Sequence, residues 1–289
     1  MTRFIVAFLA FYSATAFAVL EVLILKKAED AFPIVISPFL VKGDAKQGEL
    51  IANIMRDNFN RSGEFSASSA DYIVTSKVDF DKWQAKKAEA IVIGKLEQVS
   101  KKIFNELLDV YSRKTLYAKK FAVHNSGIRR ITHYLSDQIY FALLGEKGSF
   151  DTRLAYVTVA NKGQGKREYR LEISDSDAQN PQTILRAASP ILSPAWSPDQ
   201  NKIAYVSFKN GQSEVFIQYP FVRRKTQKLP YFDGIASAPA WHPNGESIVL
   251  TLSKDGNKDI YSYHLKDDRL TRLTSDVSID TEASYSADG

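Results

Sequence analysis

One short phrase recurs three times in the C-terminal half of this chain, at a nearly constant interval. It reads SPAWSPD at 193–199, APAWHPNG at 238–245 and, with more changes, TEASYSADG at 281–289. The aromatic residue in each copy returns about every 45 residues, which is the repeat length of four-stranded propeller blades. A β-propeller needs roughly four to eight blades to close on itself. The repeat therefore predicts an incomplete all-β propeller, with about three blades and the start of another.

The sequence between the copies has the pattern of short strands separated by polar turns. Each of the first two copies is followed by three runs rich in β-branched and aromatic residues, with Gly, Asn and Asp at the turns. A similar set of runs precedes the first copy. We therefore predict a partial propeller over 150–289. The predicted strands are 154–159, 169–173, 182–185, 203–208, 214–218, 227–229, 248–252, 259–263 and 270–273.

Residues 19–149 show a different pattern, in which strand-like and helix-like segments alternate. Apolar residues at helical spacing indicate buried helix faces, and Gly63 is placed to cap the first helix. Such an alternation is typical of an α/β domain built in layers. The predicted elements are strand 33–37, helix 48–59, helix 82–88, strand 90–94 at the sheet centre, the hairpin of 106–111 with 115–121, and helix 128–144.

The first 18 residues carry the features of a secretory signal peptide. Arg3 supplies a positive start, 4–14 is apolar, and Ala16 and Ala18 give the small residues of a cleavage site. The apolar run is too short to span a bilayer core of about 30 Å. We expect cleavage after Ala18 and export of the mature chain, without insertion into the membrane. An N-terminal core helix or an uncleaved anchor is the alternative.

Composition excludes several kinds of site. The chain has no cysteine, so disulfides, thiolate zinc sites and a cysteine nucleophile are excluded. The formal net charge of +5 is spread over turns and helix faces rather than interleaved with aromatic residues. A nucleic-acid partner is therefore not expected.

The residues that most often carry chemistry are not arranged for catalysis. The four histidines show no metal-ligand spacing, and no serine lies in a GxSxG turn. His133 and Asp137 stand four apart on a predicted helix, where we expect a surface hydrogen bond. His242 takes a serine position of the repeated phrase and is expected to be a turn residue. The sequence predicts no catalytic residue and no cofactor.

Two segments contain closely spaced acidic residues, as calcium-binding loops do. Residues 175–177 read DSD and residues 255–259 read DGNKD, but neither has the DxDxDG frame or the distal glutamate of such a loop. Asp, Asn and Gly are also the residues that hairpin turns favour. We therefore expect two turns and no metal site.

The segments just before each copy of the phrase are the best candidates for binding. In a propeller they join the outer strand of one blade to the inner strand of the next, so they meet at one face. The three segments, 188–192, 232–237 and 277–281, are rich in small and apolar side chains. This composition suits contact with a peptide or protein.

Four stretches together resemble the TolB family of the Tol–Pal cell-envelope system. The chain has EVLI at 21–24, PIVISPF at 33–39, GSFDTRLAYV at 148–157, and the phrase SPAWSPD followed by KIAYV at 202–206. The resemblance covers essentially the whole chain. It implies an exported protein with an α/β domain and a propeller that closes with about six blades.

The resemblance also implies a function, that of a non-enzymatic, monomeric periplasmic adaptor for outer-membrane integrity and cell division. In this family the mature N-terminal segment binds TolA, an inner-membrane protein, and the propeller face binds the lipoprotein Pal. The segment implied for a TolA-like partner is Glu21, Val22, Leu23, Ile24 and Leu25. The residues implied for Pal are Ser189, Pro190, Leu192, Phe232, Ser237, Ala238, Thr281 and Glu282.

Two other interpretations stay open at the level of sequence. The repeats are also typical of propellers attached to peptidase-like hydrolases, whose catalytic domain would here be missing. Alternatively, an N-terminal domain carries a decayed propeller tail. A protease-resistant core that ends near Ser149 would favour the decayed tail, whereas protection through Thr274 would favour an ordered partial propeller.

Overall fold

The computed structural model describes residues 31–75, 77–123, 127–223 and 225–289. The α/β region and the all-β region predicted from the sequence are both present within these ranges. The predicted signal peptide 1–18 and the segment 21–25 lie outside the described residues, as does His124.

The described part of the N-terminal region contains six strands and three helices. In chain order they are β1 (Phe32–Ile36), β2 (Leu40–Val41), α1 (Ala45–Ser62), β3 (Phe65–Ser69), α2 (Phe80–Ala85), β4 (Ala90–Glu97), β5 (Lys102–Asp109), β6 (Thr115–Ala122) and α3 (Gly127–Leu144). The strands form one sheet in the order β3-β1-β4-β5-β6, with β2 beside β4. Strand β4 is buried along most of its length, as predicted for a central strand.

The sheet is covered by helices on both faces. Helices α1 and α3 lie on one face, where Ile51, Met55, Leu135 and Ile139 share a core with the strands. Helix α2 lies on the other face and buries Trp83 completely. None of the helices in the described ranges is both long and apolar enough to cross a membrane.

Helix α1 is capped at both ends by residues that its sequence supplies. The side chain of Asp44 accepts a hydrogen bond from the amide of Gln47 at 3.0 Å, which satisfies one of the free N–H groups of the first turn. Gly63 adopts a left-handed conformation with φ 75° and donates its amide to Asn60 O. The predicted C-cap is therefore confirmed.

Phe39 packs closely between two glycines, and a side chain at either glycine would clash with it. An added Cβ at Gly48 on α1 would lie 2.0 Å from the carbonyl oxygen of Phe39, and one at Gly94 on β4 would lie 2.1 Å from its ring. The amide of Phe39 also donates to Gly48 O at 3.2 Å. Both positions therefore require glycine because of close approach, and not because of backbone conformation.

Gly48→Ala is expected to destabilise the protein although alanine favours helices. Alanine gains about 1 kcal/mol of helix propensity, whereas forcing a methyl group onto a backbone carbonyl costs ~1–3 kcal/mol or more. Urea unfolding followed by circular dichroism should give a net loss. Gly63→Ala is the matched control, since its Cβ meets nothing within 4 Å and only the left-handed backbone is strained. Stability of Gly48→Ala equal to wild type would contradict this close packing.

In the described part of the C-terminal region, the strands form three antiparallel sheets. The first has the order β7-β8-β9, the second β10-β11-β12-β13 and the third β14-β15-β16-β17. Strands β10 and β14 each carry a copy of the repeated phrase at the start of their sheet. The strands are β7 (Arg153–Asn161), β8 (Arg167–Asp175), β9 (Gln182–Ala187), β10 (Ile191–Trp196), β11 (Ile203–Ser207), β12 (Glu214–Gln218), β13 (Thr226–Lys228), β14 (Ala236–Trp241), β15 (Ser247–Leu252), β16 (Asp259–His264) and β17 (Arg269–Arg272).

The tryptophans of the repeated phrase pack between neighbouring sheets. Trp241 is 8% exposed, and its Nε1 donates a 3.0 Å hydrogen bond to the carbonyl of Ala195 on β10 of the preceding sheet. Trp196 instead stacks on Phe221, and its buried Nε1 has no hydrogen-bond partner among the described residues. His242 forms the turn after Trp241, as predicted, and its Nδ1 accepts the amide of Asn244.

The predicted surface pairing of His133 with Asp137 is wrong. Helix α3 packs on α1 through a polar stripe, so His133 is only 2% exposed and its Nδ1 lies 3.1 Å from Asn58 Oδ1. Asp137 instead accepts the amides of Phe150 and Asp151 at 2.8 and 2.9 Å. It thereby fixes the connection between the α/β region and β7.

Candidate functional site

The segments that precede the repeated phrase lie at one end of the three sheets. Pro190 O accepts a 3.3 Å hydrogen bond from the connection between β11 and β12. In the same connection, Ser213 Oγ accepts the amide of Ala236 at 2.8 Å, which ties the second sheet to the start of β14. The amide of Asp280 donates to Lys258 O at 2.9 Å. We call this end the loop end; it comprises 188–190, 208–213, 229–235, 253–258 and 276–282.

The three copies of the phrase share a left-handed residue at the same position. Ser193, Ala238 and Glu282, each three residues before the central aromatic, have φ of 49°, 48° and 56°. In the first two copies the pairing register shifts at this point, as in a β-bulge. A non-glycine residue held in this region costs on the order of 1–2 kcal/mol. A bulge bends its strand locally, and bulges often lie beside functional sites.

The eight residues implied for Pal lie at or beside the loop end, but their side chains differ in exposure. Leu192 is 48% exposed, and Thr281 and Glu282 are also exposed. Phe232 is 8% exposed and packs edge-on against Tyr263, so it anchors its loop from the core instead of presenting a surface. The half-buried members are Ser189, Pro190, Ser237 and Ala238.

A basic groove lies at the loop end of the first sheet, beside Pro190. It has a volume of about 630 Å³ and is formed by the β7–β8 turn and the end of β9. Four basic side chains and one acidic side chain line it, so its net charge is positive. The charged residues of this basic groove are Lys162, Lys166, Arg167, Glu168 and Arg186. Such a groove attracts an acidic surface.

Glu168 organises the basic groove. Its Oε1 lies 2.6 Å from Arg170 Nη2, 3.0 Å from Arg186 Nη1 and 3.6 Å from Lys162 Nζ. The hydrogen bond from Arg170, with the charges around it, lowers the pKa of Glu168, so that it stays ionised. Lys166 and Arg167 are exposed and have no ion-pair partner among the described residues. Their charges are therefore available to a partner.

Two family models match the chain. One is the TolB beta propeller domain, over residues 140–289, and the other is the TolB amino-terminal domain, over residues 20–116. The chain belongs to the TolB family. The fold class predicted from the sequence, an α/β domain followed by a β-propeller region, is confirmed by these matches and by the sheets described above, whereas the number of blades stays a prediction.

Individual members of the TolB family are similar over most of this chain. The Tol-Pal system protein TolB of Ruthia magnifica subsp. Calyptogena magnifica is 72% identical over 279 residues, covering 96% of this chain and 66% of that protein. That of Nitrosococcus oceani is 39% identical, covering 78% and 54%. A crystal structure of TolB from Acinetobacter baumannii aligns with TM-score 0.77 and 35% identity, covering 88% and 63%. The chain spans at most about two thirds of the length of these relatives.

Two features of this TolB-family loop end are not evident from the sequence. The basic residues of the groove resemble the ordinary charge of a polar turn, although three of them fall within 162–167. The repeated left-handed residue is Ser, Ala or Glu, so no glycine signalled it. The three copies have no residue type in common at this position. The shared conformation is therefore visible only in the backbone geometry.

Proposed function

We propose that this chain is a periplasmic adaptor of the Tol–Pal system, which binds Pal at the loop end and a TolA-like inner-membrane protein through its N-terminal segment. The relatives of highest identity described above are named Tol-Pal system proteins, which supports the system and its compartment. We also propose the boundaries 1–18 for a cleaved signal peptide, 19–149 for the α/β domain and 150–289 for the propeller region. The adaptor acts as a monomer.

The observation that carries the Pal-binding proposal is the clustering at the loop end. Three connecting segments, which are far apart in the chain, are tied there by hydrogen bonds to neighbouring sheets. Of the exposed residues at or beside the loop end, Leu192 precedes the bulge of the first copy, and Glu282, which follows Thr281, has the corresponding left-handed conformation. A pre-ordered surface of this kind loses little conformational freedom when it binds a protein.

The basic groove extends the proposed Pal site and sets the chemistry of the partner surface. Lys166 and Arg167 carry unpaired positive charge beside Pro190. Complementary charge at the rim of an interface accelerates association and guides orientation. We therefore propose that Pal presents an acidic surface to the first sheet.

We propose binding, and not catalysis, as the activity of this protein. The loop end offers small side chains, backbone groups and arginine and lysine charges, which are suited to holding a protein surface. The alternative of a hydrolase-associated propeller is not favoured, because the relatives described above are Tol-Pal system proteins.

The TolA-like contact is proposed for Glu21, Val22, Leu23, Ile24 and Leu25. Four of these five residues are apolar and follow the predicted cleavage site by only a few positions. A short apolar segment of this kind can bind by adding a strand to an exposed sheet edge, where backbone hydrogen bonds give affinity and alternate side chains give specificity.

Deleting residues 19–25 is expected to abolish binding to a TolA domain while leaving binding to Pal unchanged. The two partners are assigned to different parts of the chain, so the deletion should affect only one of them. Isothermal titration calorimetry of the mature protein with each partner measures both. A variant in which 19–25 is replaced by a glycine–serine segment of equal length controls for chain length. Full TolA affinity in the deletion variant would contradict the assignment.

A further inference from the structure

A second cluster of chemistry-bearing side chains lies at the opposite end of the first sheet, where the α/β region meets the propeller. His133 comes from α3, Asp175 ends β8 and Asp177 lies in the turn that follows. One ligand atom from each of the three lies within 4.8 Å of the other two. His133 Nε2 is 3.7 Å from Asp177 Oδ2. We call these three residues the junction cluster.

The surroundings of His133 fix which ring nitrogen carries the proton. Asn58 donates its Nδ2 to Ser136 Oγ at 2.9 Å, and its Oδ1 accepts from Arg61 at 3.0 Å. Asn58 Oδ1 therefore also faces His133 Nδ1 as an acceptor, at 3.1 Å. Nδ1 carries the hydrogen, and Nε2 of the neutral ring has its lone pair directed towards the acidic residues.

This lone pair is not satisfied by the protein. His133 is 98% buried, and its Nε2 has no hydrogen-bond partner among the described residues. Burial lowers the pKa of His133, and the charges of Asp177 and Asp175 act in the opposite direction. The Nε2 lone pair therefore lies buried beside two carboxylates without a donor or a cation of its own.

We propose that the junction cluster is a binding site for a divalent transition-metal ion of the zinc type, with His133 Nε2 and the carboxylates of Asp175 and Asp177 as ligands. One imidazole nitrogen with two carboxylates is a donor set that zinc accepts, and a water completes the tetrahedron. The Asn58 contact has the role of the outer hydrogen bond that orients metal-bound histidines. Sequence spacing alone predicts no metal site here, because the ligands come from two regions that are distant in the chain.

The guanidinium group of Arg129 would compete with a metal ion for the two carboxylates. Its Nη2 donates to Asp177 Oδ2, and its Nε lies 3.4 Å from Asp175 Oδ2. The guanidinium neutralises the carboxylates but does not satisfy His133. A metal ion that binds Asp177 Oδ2 must displace Arg129 from that oxygen. Substituting Arg129 therefore tests whether the ion binds there.

The site joins the two regions of the protein. His133 belongs to the α/β region, whereas Asp175 and Asp177 belong to the first sheet of the propeller. Protein contacts already connect the regions here, since Arg61 Nη2 on α1 donates to Ser176 Oγ at 3.4 Å. A bound ion adds a cross-link at the same place and favours the joined arrangement by mass action.

The test is calorimetric titration of the full chain, freed of metal with a chelator, with Zn²⁺. Wild type is expected to bind one ion per chain, and His133→Gln and Asp177→Asn are expected to lose this binding. His264→Gln is the matched control, because His264 is a partly exposed histidine that also contacts an aspartate. Circular dichroism checks that each variant is folded. If His133→Gln is not folded, the result for Asp177→Asn decides the test. Binding that survives in Asp177→Asn, or none in wild type, would overturn the proposal.

Arg129→Gln provides an independent test in the opposite direction. Removing the positive charge next to the carboxylates is expected to tighten Zn²⁺ binding by more than ~10-fold, since a unit charge at about 4 Å is worth several kcal/mol at an effective dielectric constant near 20. A merely structural role of these residues predicts weaker or no binding in this variant. An affinity equal to that of wild type would overturn the placement of the ion on Asp177.

Discussion

Replacing Lys162, Lys166 and Arg167 by glutamine is expected to slow association with Pal by ~10-fold or more at low ionic strength. The three side chains are exposed in the β7–β8 turn and at the start of β8, and they provide most of the positive charge of the basic groove. Long-range attraction acts on the encounter of the two proteins, so the association rate should change more than the dissociation rate. The effect should shrink as salt is added, because the Debye length falls to about 8 Å at physiological ionic strength.

Surface plasmon resonance at several salt concentrations measures both rates. The control variant replaces Lys77, Lys102 and Lys114 by glutamine, which removes the same charge from exposed lysines of the α/β region. This control should associate nearly as fast as wild type. If both variants slow association equally, net charge alone is responsible, and the basic groove is not part of the Pal site.

The fold was predictable wherever a local pattern is repeated or strongly periodic. The 45-residue interval between Trp196 and Trp241 correctly indicated neighbouring sheets, because the same inner strand is built twice. The apolar spacing of α1 and the position of Gly63 correctly indicated a helix and its end. These features depend on residues close together in sequence, where side-chain periodicity and backbone preference act directly.

The buried face of α3 was not predictable in the same way. Its apolar residues Leu135 and Ile139 were correctly placed in the core, but Thr132, His133 and Ser136 are also buried. His133 and Ser136 contact Asn58 of α1, which is 75 and 78 residues away from them in the chain. In the sequence of one helix, a polar stripe that packs on a second helix cannot be distinguished from a solvent-exposed face.

The candidate sites depended on tertiary structure to different degrees. The loop end followed from the repeat, because every copy places its connecting segment at the same end. The basic groove needed the pairing of β8 with β9, which brings Arg186 beside Glu168. The junction cluster needed the packing of α3 on the end of β8, which joins residues more than 40 positions apart. Spacing rules for metal ligands detect only ligands that are close in the chain.

Trp241→Ala is expected to lower the free energy of unfolding by ~3–5 kcal/mol, the usual cost of removing a large buried aromatic side chain. Trp241 packs in the core shared by the second and third sheets. Its loss also leaves Ala195 O without the indole hydrogen bond that joins the two sheets. Urea unfolding followed by far-ultraviolet circular dichroism, which is dominated by the sheets, measures the change.

Trp196→Ala is the matched comparison for Trp241→Ala, because it removes the same side chain from the same position of the preceding copy of the phrase. Trp196 is only half-buried, and its Nε1 makes no hydrogen bond among the described residues. Its loss is expected to cost ~1–2 kcal/mol, mainly from the stacking and area shared with Phe221. If the two variants lose equal stability, the deeper burial of Trp241 and its hydrogen bond to Ala195 O add nothing to stability. A larger loss in Trp241→Ala shows that these two features of the contact between the second and third sheets stabilise this part of the protein.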